Sequence, residues 1–141
     1  QWNGPWMLDR LELPTVQEDP NIVVSVHVYE PQPFTHQGAT WAGYPPNQVR
    51  LPSTYKRDVD RSLDMISSYV QKSGRKAWMS EFGVFLSVAN QSDVTEYLNY
   101  ITRESEKRGI SWAYWEFNVG FGAYNMSQNQ WKPFVLNALI P

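Results

Sequence analysis

Hydrophobic and polar positions follow one repeating pattern along this chain. Over Asn21 to Tyr29, Ile22, Val24, Val26 and Val28 alternate with Val23, Ser25, His27 and Tyr29. Such a β-branched run suits a strand buried on both faces. From about Tyr55 to Ser73 the apolar positions Val59, Leu63, Ile66 and Val70 fall on one helical stripe, and Gly74 stops it in the C′ position. Lys76 to Phe82 is a second strand. A second helix begins near Asp93, which with Glu96 three residues on forms a plausible capping pair. It carries Val94, Tyr97, Leu98 and Ile101 and ends at Lys107, Arg108 and Gly109, a charge and cap combination that suits a C-terminus. Ile110 to Phe117 is a third strand. A Gly/Asn loop then runs to Asn129, and a short helix from Trp131 to Leu139 buries Phe134, Leu136 and Leu139 or their neighbours.

Strand and helix in strict alternation predict a parallel sheet with right-handed crossovers. Gln1 to Pro20 carries no convincing element. The Pro-, Gly- and Gln-rich stretch from Glu30 to Ser53 is a long loop, longer than most connections, and such loops tend to carry function. Parity within the strands separates two faces. Val23, Ser25, His27 and Tyr29 share the face away from the helices; Ala77, Met79 and Glu81 are expected to join them, as are Ser111, Ala113, Trp115 and Phe117. Each set begins small and ends in a functional side chain at the strand's C-terminal end. A barrel interior leading up to an active site has this layout.

Length limits that reading. The chain has 141 residues, and a complete (β/α)8 barrel takes roughly 250. The expected fold class is therefore α/β: a partial (β/α)8 TIM barrel of three βα units with parallel strands, completed by association or by a missing N-terminal part. Residues 1–141 are read as one C-terminal portion of such a domain. Three strands leave two open edges and one uncovered face.

Charge and composition remove several function classes. Net charge is −2, and the twelve Lys and Arg are scattered, which argues against nucleic acid as a partner. No run of about 18 apolar residues exists, so no membrane span is expected. Nothing at Gln1 reads as a signal peptide, so an internal or processed start is expected. Cysteine is absent, which excludes disulfides and thiolate chemistry. His27 and His36 are the only histidines and do not sit in a metal-site spacing, so neither metal nor cofactor is expected. Aromatic residues reach 15 %, seven of them Trp. Their faces can stack on sugar rings or simply fill a core.

Three motifs decide between those uses. His27-Val-Tyr29 closes the first strand, Trp78-Met-Ser-Glu81-Phe-Gly83 the second, and Tyr114-Trp115-Glu-Phe117 with Phe121-Gly-Ala-Tyr124 the third. In order and spacing they resemble strands six, seven and eight of family 5 glycoside hydrolases, bacterial endoglucanases above all. Phe34-Thr-His-Gln-Gly-Ala-Thr-Trp41 is similar to the loop after strand six in that group. The resemblance covers nearly the whole chain beyond Asn21.

The resemblance implies retaining hydrolysis of β-1,4-glucan, with β-mannan as an alternative substrate, and a secreted enzyme. Glu81 is then the nucleophile that forms the glycosyl-enzyme intermediate. His27 and Tyr29 contact substrate or hydrogen-bond that nucleophile, Tyr29 through its O–H. Trp115 floors the sugar at the cleavage site, whereas Trp112, of opposite parity, packs under a helix. His36, Gln37 and Trp41 form a further sugar subsite or pack the loop. A retaining hydrolase also needs a second carboxyl group about 5–5.5 Å from the first. In the family it is the Glu of an Asn-Glu pair ending strand four, and no such dipeptide occurs here. Glu116 has the wrong parity, and Glu30 is the remaining candidate. The isolated chain is thus expected to be inactive. Its expected partners are a β-glucan and either further copies of itself or a complementary barrel part. Two other readings stay open, a non-catalytic β-glucan-binding fragment and a structural remnant.

Overall fold

The structure, a computed structural model, describes residues 4–141. A 3-10 helix, Pro5–Arg10, precedes strand β1 (Val23–His27). The long loop holds a short helix α1 (Gln32–Thr35) and a 3-10 turn at Thr40–Ala42. Helix α2 (Tyr55–Ser73), strand β2 (Lys76–Glu81), helix α3 (Gln91–Lys107) and strand β3 (Ser111–Trp112) follow. The chain ends in a hairpin of β4 (Tyr124–Asn125) and β5 (Gln130–Trp131) and helix α4 (Pro133–Leu139). Strands β1, β2 and β3 lie parallel in that order, as the alternation of strand and helix requires.

The helix stripe behaves as its spacing dictates. Val59, Leu63 and Ile66 are fully buried, and Gly74 closes α2 in the left-handed conformation (φ 68°), its N–H bonded to the Val70 carbonyl. From α3, Val94, Tyr97, Leu98 and Ile101 pack into the same core, against Val24, Val26 and Val28 of the first strand region. Burying each such side chain stabilises the fold by about 1.5–3 kcal/mol.

Four local expectations need correction. Asn90, not Asp93, caps α3: its side chain accepts from the N–H groups of Ser92 (3.1 Å) and Asp93 (3.3 Å). Asp93 is instead bound by Arg50 Nε (2.5 Å) and Nη2 (2.8 Å) and by the Leu51 N–H (3.0 Å), which pins the long loop to the helix start. Next, Ala77 and Met79 sit opposite Val24 and Val26, and Met79 is fully buried on the helix side. A register shift after Val26 then sets Glu81 opposite His27. Glu81 reaches the open face through this bulge and not through an unbroken alternation. The third strand is shorter than Ile110 to Phe117, although its direction continues in bonds from Ala113 N–H to Met79 O (2.9 Å) and Trp115 N–H to Phe82 O (2.9 Å). Last, Trp131 belongs to the hairpin, and α4 buries Val135, Ala138 and Leu139.

Candidate active site

The C-terminal ends of β1 and β2 and the chain beyond β3 converge on one groove. The Glu81 carboxylate lies in it, its side chain 25 % exposed. Tyr29 donates its O–H to Glu81 Oε2 at 3.1 Å, and His27 Nδ1 lies 3.3 Å from the same oxygen. Among the described residues Oε1 has no hydrogen-bond partner. One donor, Tyr29, therefore holds a carboxylate oxygen, with the His27 ring beside it. Burial, and after it the adjacent Glu81 carboxylate, push the Tyr29 phenol well above its ordinary range, so it stays a donor.

The turn after Glu81 depends on Gly83. A Cβ there would lie 2.2 Å from the Trp115 carbonyl oxygen, so no larger residue lets the third strand come this close. That approach sets Trp115 at the edge of the groove, 43 % exposed. Trp112 faces the other way, edge-on to the buried Phe82 ring at 5.6 Å.

The loop after β1 supplies the next wall. Thr35 Oγ1 donates to the Tyr29 carbonyl at 2.6 Å and lies 3.0 Å from His36 Nδ1. Burial lowers the His36 pKa below its ordinary value. Tyr29, His36 and Phe121 meet edge to face at 4.9–5.9 Å. Trp41 is 71 % exposed on the far side of His36, with ring centroids 6.3 Å apart.

His27, Tyr29, His36, Trp41, Glu81 and Trp115 all line one cavity of about 230 Å³. Gln37 does not: it is buried, donates to the Phe34 carbonyl and accepts the Val49 N–H, a strut inside the loop. The cavity also takes in Trp6, Glu30, Gln32 and Phe121, which sequence reasoning left out of the site or held in reserve. Burial raises the Glu30 carboxyl above the usual range, against the amide N–H groups of Glu30 and Tyr29, which favour the charged form. Among the described residues no group of three His, Asp or Glu side chains could hold a metal ion, and no helix is long and apolar enough to cross a membrane.

The profile of Cellulase (glycosyl hydrolase family 5) matches residues 1–120. The chain belongs to glycosyl hydrolase family 5. Endoglucanase H of Acetivibrio thermocellus is 25 % identical over 146 aligned positions, covering 99 % of this chain and 15 % of that protein. Cel5A of Thermotoga maritima, solved as a mutant form with cellobiose, superposes with a TM-score of 0.90 at 32 % identity, over 100 % of this chain and 45 % of that one. The same Cel5A has been solved with mannotriose. The cellulose synthase subunit Z of Clostridioides difficile superposes at 0.88 and 32 % identity, over 98 % and 46 %. The family 5 chain therefore spans less than half the length of these solved relatives. They are (β/α)8 barrels, and the three βα units here are part of such a barrel.

Proposed function

We propose that this segment carries the nucleophile side of a retaining endo-β-1,4-glucanase, residues 1–141 standing for strands six to eight of the barrel. The arrangement at Glu81 supports this best: Tyr29 donates to Oε2, His27 lies beside it, and the half-exposed indole of Trp115 lines the same cavity. Oε1 attacks the anomeric carbon, the glycosidic C–O bond breaks, and the departing oxygen takes a proton from a second carboxyl group. Water, deprotonated by that same carboxylate, then displaces Glu81 and restores the anomeric configuration. Trp115 stacks on the reacting sugar, and Trp41 with His36 lines a neighbouring subsite. Cel5A with mannotriose supports β-mannan as a second substrate class. The family likeness also supports action outside the cell.

The acid partner belongs to strand four, so the isolated chain has a nucleophile without its acid. General acid catalysis contributes about 10²–10⁴-fold, and lost positioning costs further rate. Turnover of carboxymethyl-cellulose by the 141-residue chain should equal that of its Glu81→Gln variant. In a complete barrel containing this segment, the same substitution should abolish turnover and leave binding intact, because the amide keeps the shape but cannot attack. A Glu81→Gln barrel that still turns over would overturn the assignment. If the isolated chain cleaves and its variant does not, a second carboxyl group is at hand, and Glu30 is the first to mutate. A non-catalytic β-glucan-binding role is favoured in the isolated chain by the exposed faces of Trp41 and Trp115.

A further inference from the structure

The turn of Glu81 into the groove depends on one extra residue. Val26 pairs with Met79, but the next residue of β1, His27, pairs with Glu81, so Ser80 has no partner across the ladder. Ser80 is the inserted residue of a β-bulge, and a bulge re-aims the side chain beside it. Had the two-residue period run on, Glu81 would share the helix side with Met79, which is fully buried. The ladder resumes at once, the Val28 N–H donating to the Glu81 carbonyl at 2.9 Å.

An inserted residue is left out of the backbone pairing, so its side chain must tie it down. Ser80 is tied twice. Its Oγ lies 2.6 Å from Ser25 Oγ and donates to the Val26 carbonyl at 3.4 Å. Both partners belong to β1 and come just before His27. The ties thus cross the sheet at the step where the register shifts. Neither serine lines the Glu81 cavity, so neither is placed to touch a sugar. Both hydroxyls stand on the open face. A complete barrel encloses that face, and a hydrogen bond shut away from water is electrostatically stronger.

We propose that the Ser25–Ser80 hydroxyl pair fixes the bulge and thereby aims Glu81, which makes Ser80 a positioning residue for the nucleophile. The proposal rests on the reading of Glu81 as nucleophile and adds to it what sets the direction of the carboxylate. Tyr29 Oη and His27 Nδ1, at 3.1 and 3.3 Å from Glu81 Oε2, meet the carboxylate in the bulged register, because both side chains stand on the open face. Misplacing a reacting atom by about 1 Å costs about 10²-fold in rate, so one hydroxyl pair below the site has a large effect in it.

Steady-state hydrolysis of cellotetraose by a complete barrel containing this segment tests it. Ser80→Ala should lower kcat by about tenfold to a hundredfold with KM little changed, the split expected when only transition-state contacts are lost. Ser80→Thr keeps the hydroxyl and should restore most of the rate. Ser25→Ala should lower kcat in the same sense. The double variant should lose no more than Ser80→Ala alone, because the two serines act through one bond. Thermal melts identify the folded variants, and if Ser80→Ala does not fold, Ser25→Ala carries the test. The proposal is overturned if the folded serine variants keep the wild-type kcat, if the loss appears in KM alone, or if Ser80→Thr is as slow as Ser80→Ala. The Glu81→Gln barrel separates the two claims. If it turns over, the nucleophile reading falls and the proposal with it. If it is inactive while Ser80→Ala and Ser25→Ala are fully active, only the role of the serine pair is removed.

Discussion

The two faces of the three-stranded sheet obey different rules. Toward the helices, Val24, Val26 and Met79 are each at most 6 % exposed and sit among Leu63, Ile66, Leu98 and Ile101, all fully buried. On the opposite face Val23 is 52 %, Trp78 37 % and Trp115 43 % exposed, and the polar residues there pair with one another, as Ser25 does with Ser80 at 2.6 Å. The covered face holds the stability of the chain, and the open face carries the residues of the proposed site. Apolar residues on the open face are suited to an enclosed interior and not to water, which is the mark of one sector of a barrel.

The largest difference between the faces should appear in core truncation. Leu63→Ala removes a fully buried side chain under the covered face and should cost about 2–5 kcal/mol in urea unfolding. Val23→Ala, on the open face, should stay within about 0.5 kcal/mol. A Val23→Ala cost comparable to that of Leu63→Ala would mean that the open face is covered in solution.

Such cover is itself expected. Open strand edges and an exposed apolar face favour pairing with another copy. Light scattering on the size-exclusion peak should give a mass above one chain at micromolar concentration. A clean monomer would show that the open face tolerates water, and the contrast between the faces would then be one of function alone.

A smaller effect concerns the loop that joins the two faces. Asp93, its side chain 8 % exposed, ties Arg50 and the Leu51 N–H to the start of α3. Asp93→Ala should cost about 1–3 kcal/mol, mainly through the N–H left unpaired. Hydrogen bonding from Arg50 holds the Asp93 carboxyl below its ordinary 3.8. A depressed carboxylate contributes its stability above the unfolded value and loses it as pH falls through the folded one. The wild-type advantage over Asp93→Ala should therefore persist at neutral pH and shrink on acidification below about 3.8.

These contrasts also show what could be read from residues alone. The helices and strands were legible because their apolar spacings are long and unbroken, as in Val59, Leu63 and Ile66. Six of the candidate site residues fall around one cavity, since each motif sits at a strand end or in the loop that follows, whereas Gln37 is buried inside that loop. The register shift beside Glu81 was not legible, because parity assumes an unbroken two-residue period and a bulge leaves no fixed mark in sequence. Asn90 and Asp93 both satisfy the capping rule, and the choice falls to Arg50, a residue distant in sequence. The hairpin at Tyr124 and Trp131 was hidden by its length, two residues a side. Trp6 was missed because the groove it joins is assembled only in three dimensions.

The smallest expected effect lies on the open face and runs in the opposite direction to the rest. Glu30 is partly buried in the groove, with Asp58 nearby adding to the burial that raises its carboxyl above the ordinary 4.5. A carboxyl whose folded value is raised holds its proton more tightly in the native state than in the unfolded one. Stability is then lost as pH climbs from the unfolded value toward the folded one, and the cost is complete above both. Glutamine is neutral at every pH and its carbonyl oxygen can still accept the Tyr29 N–H, so Glu30→Gln removes that cost and little else. The variant should melt slightly higher than wild type at pH 7, and the two should converge as pH falls below about 4.5. Comparing the pair at each pH cancels the opposite trend from Asp93, which both proteins share. A variant that is less stable than wild type at pH 7 would mean that the Glu30 carboxylate is held in place by the fold, and the open face would then contribute to stability where it is read here as giving stability up for its site.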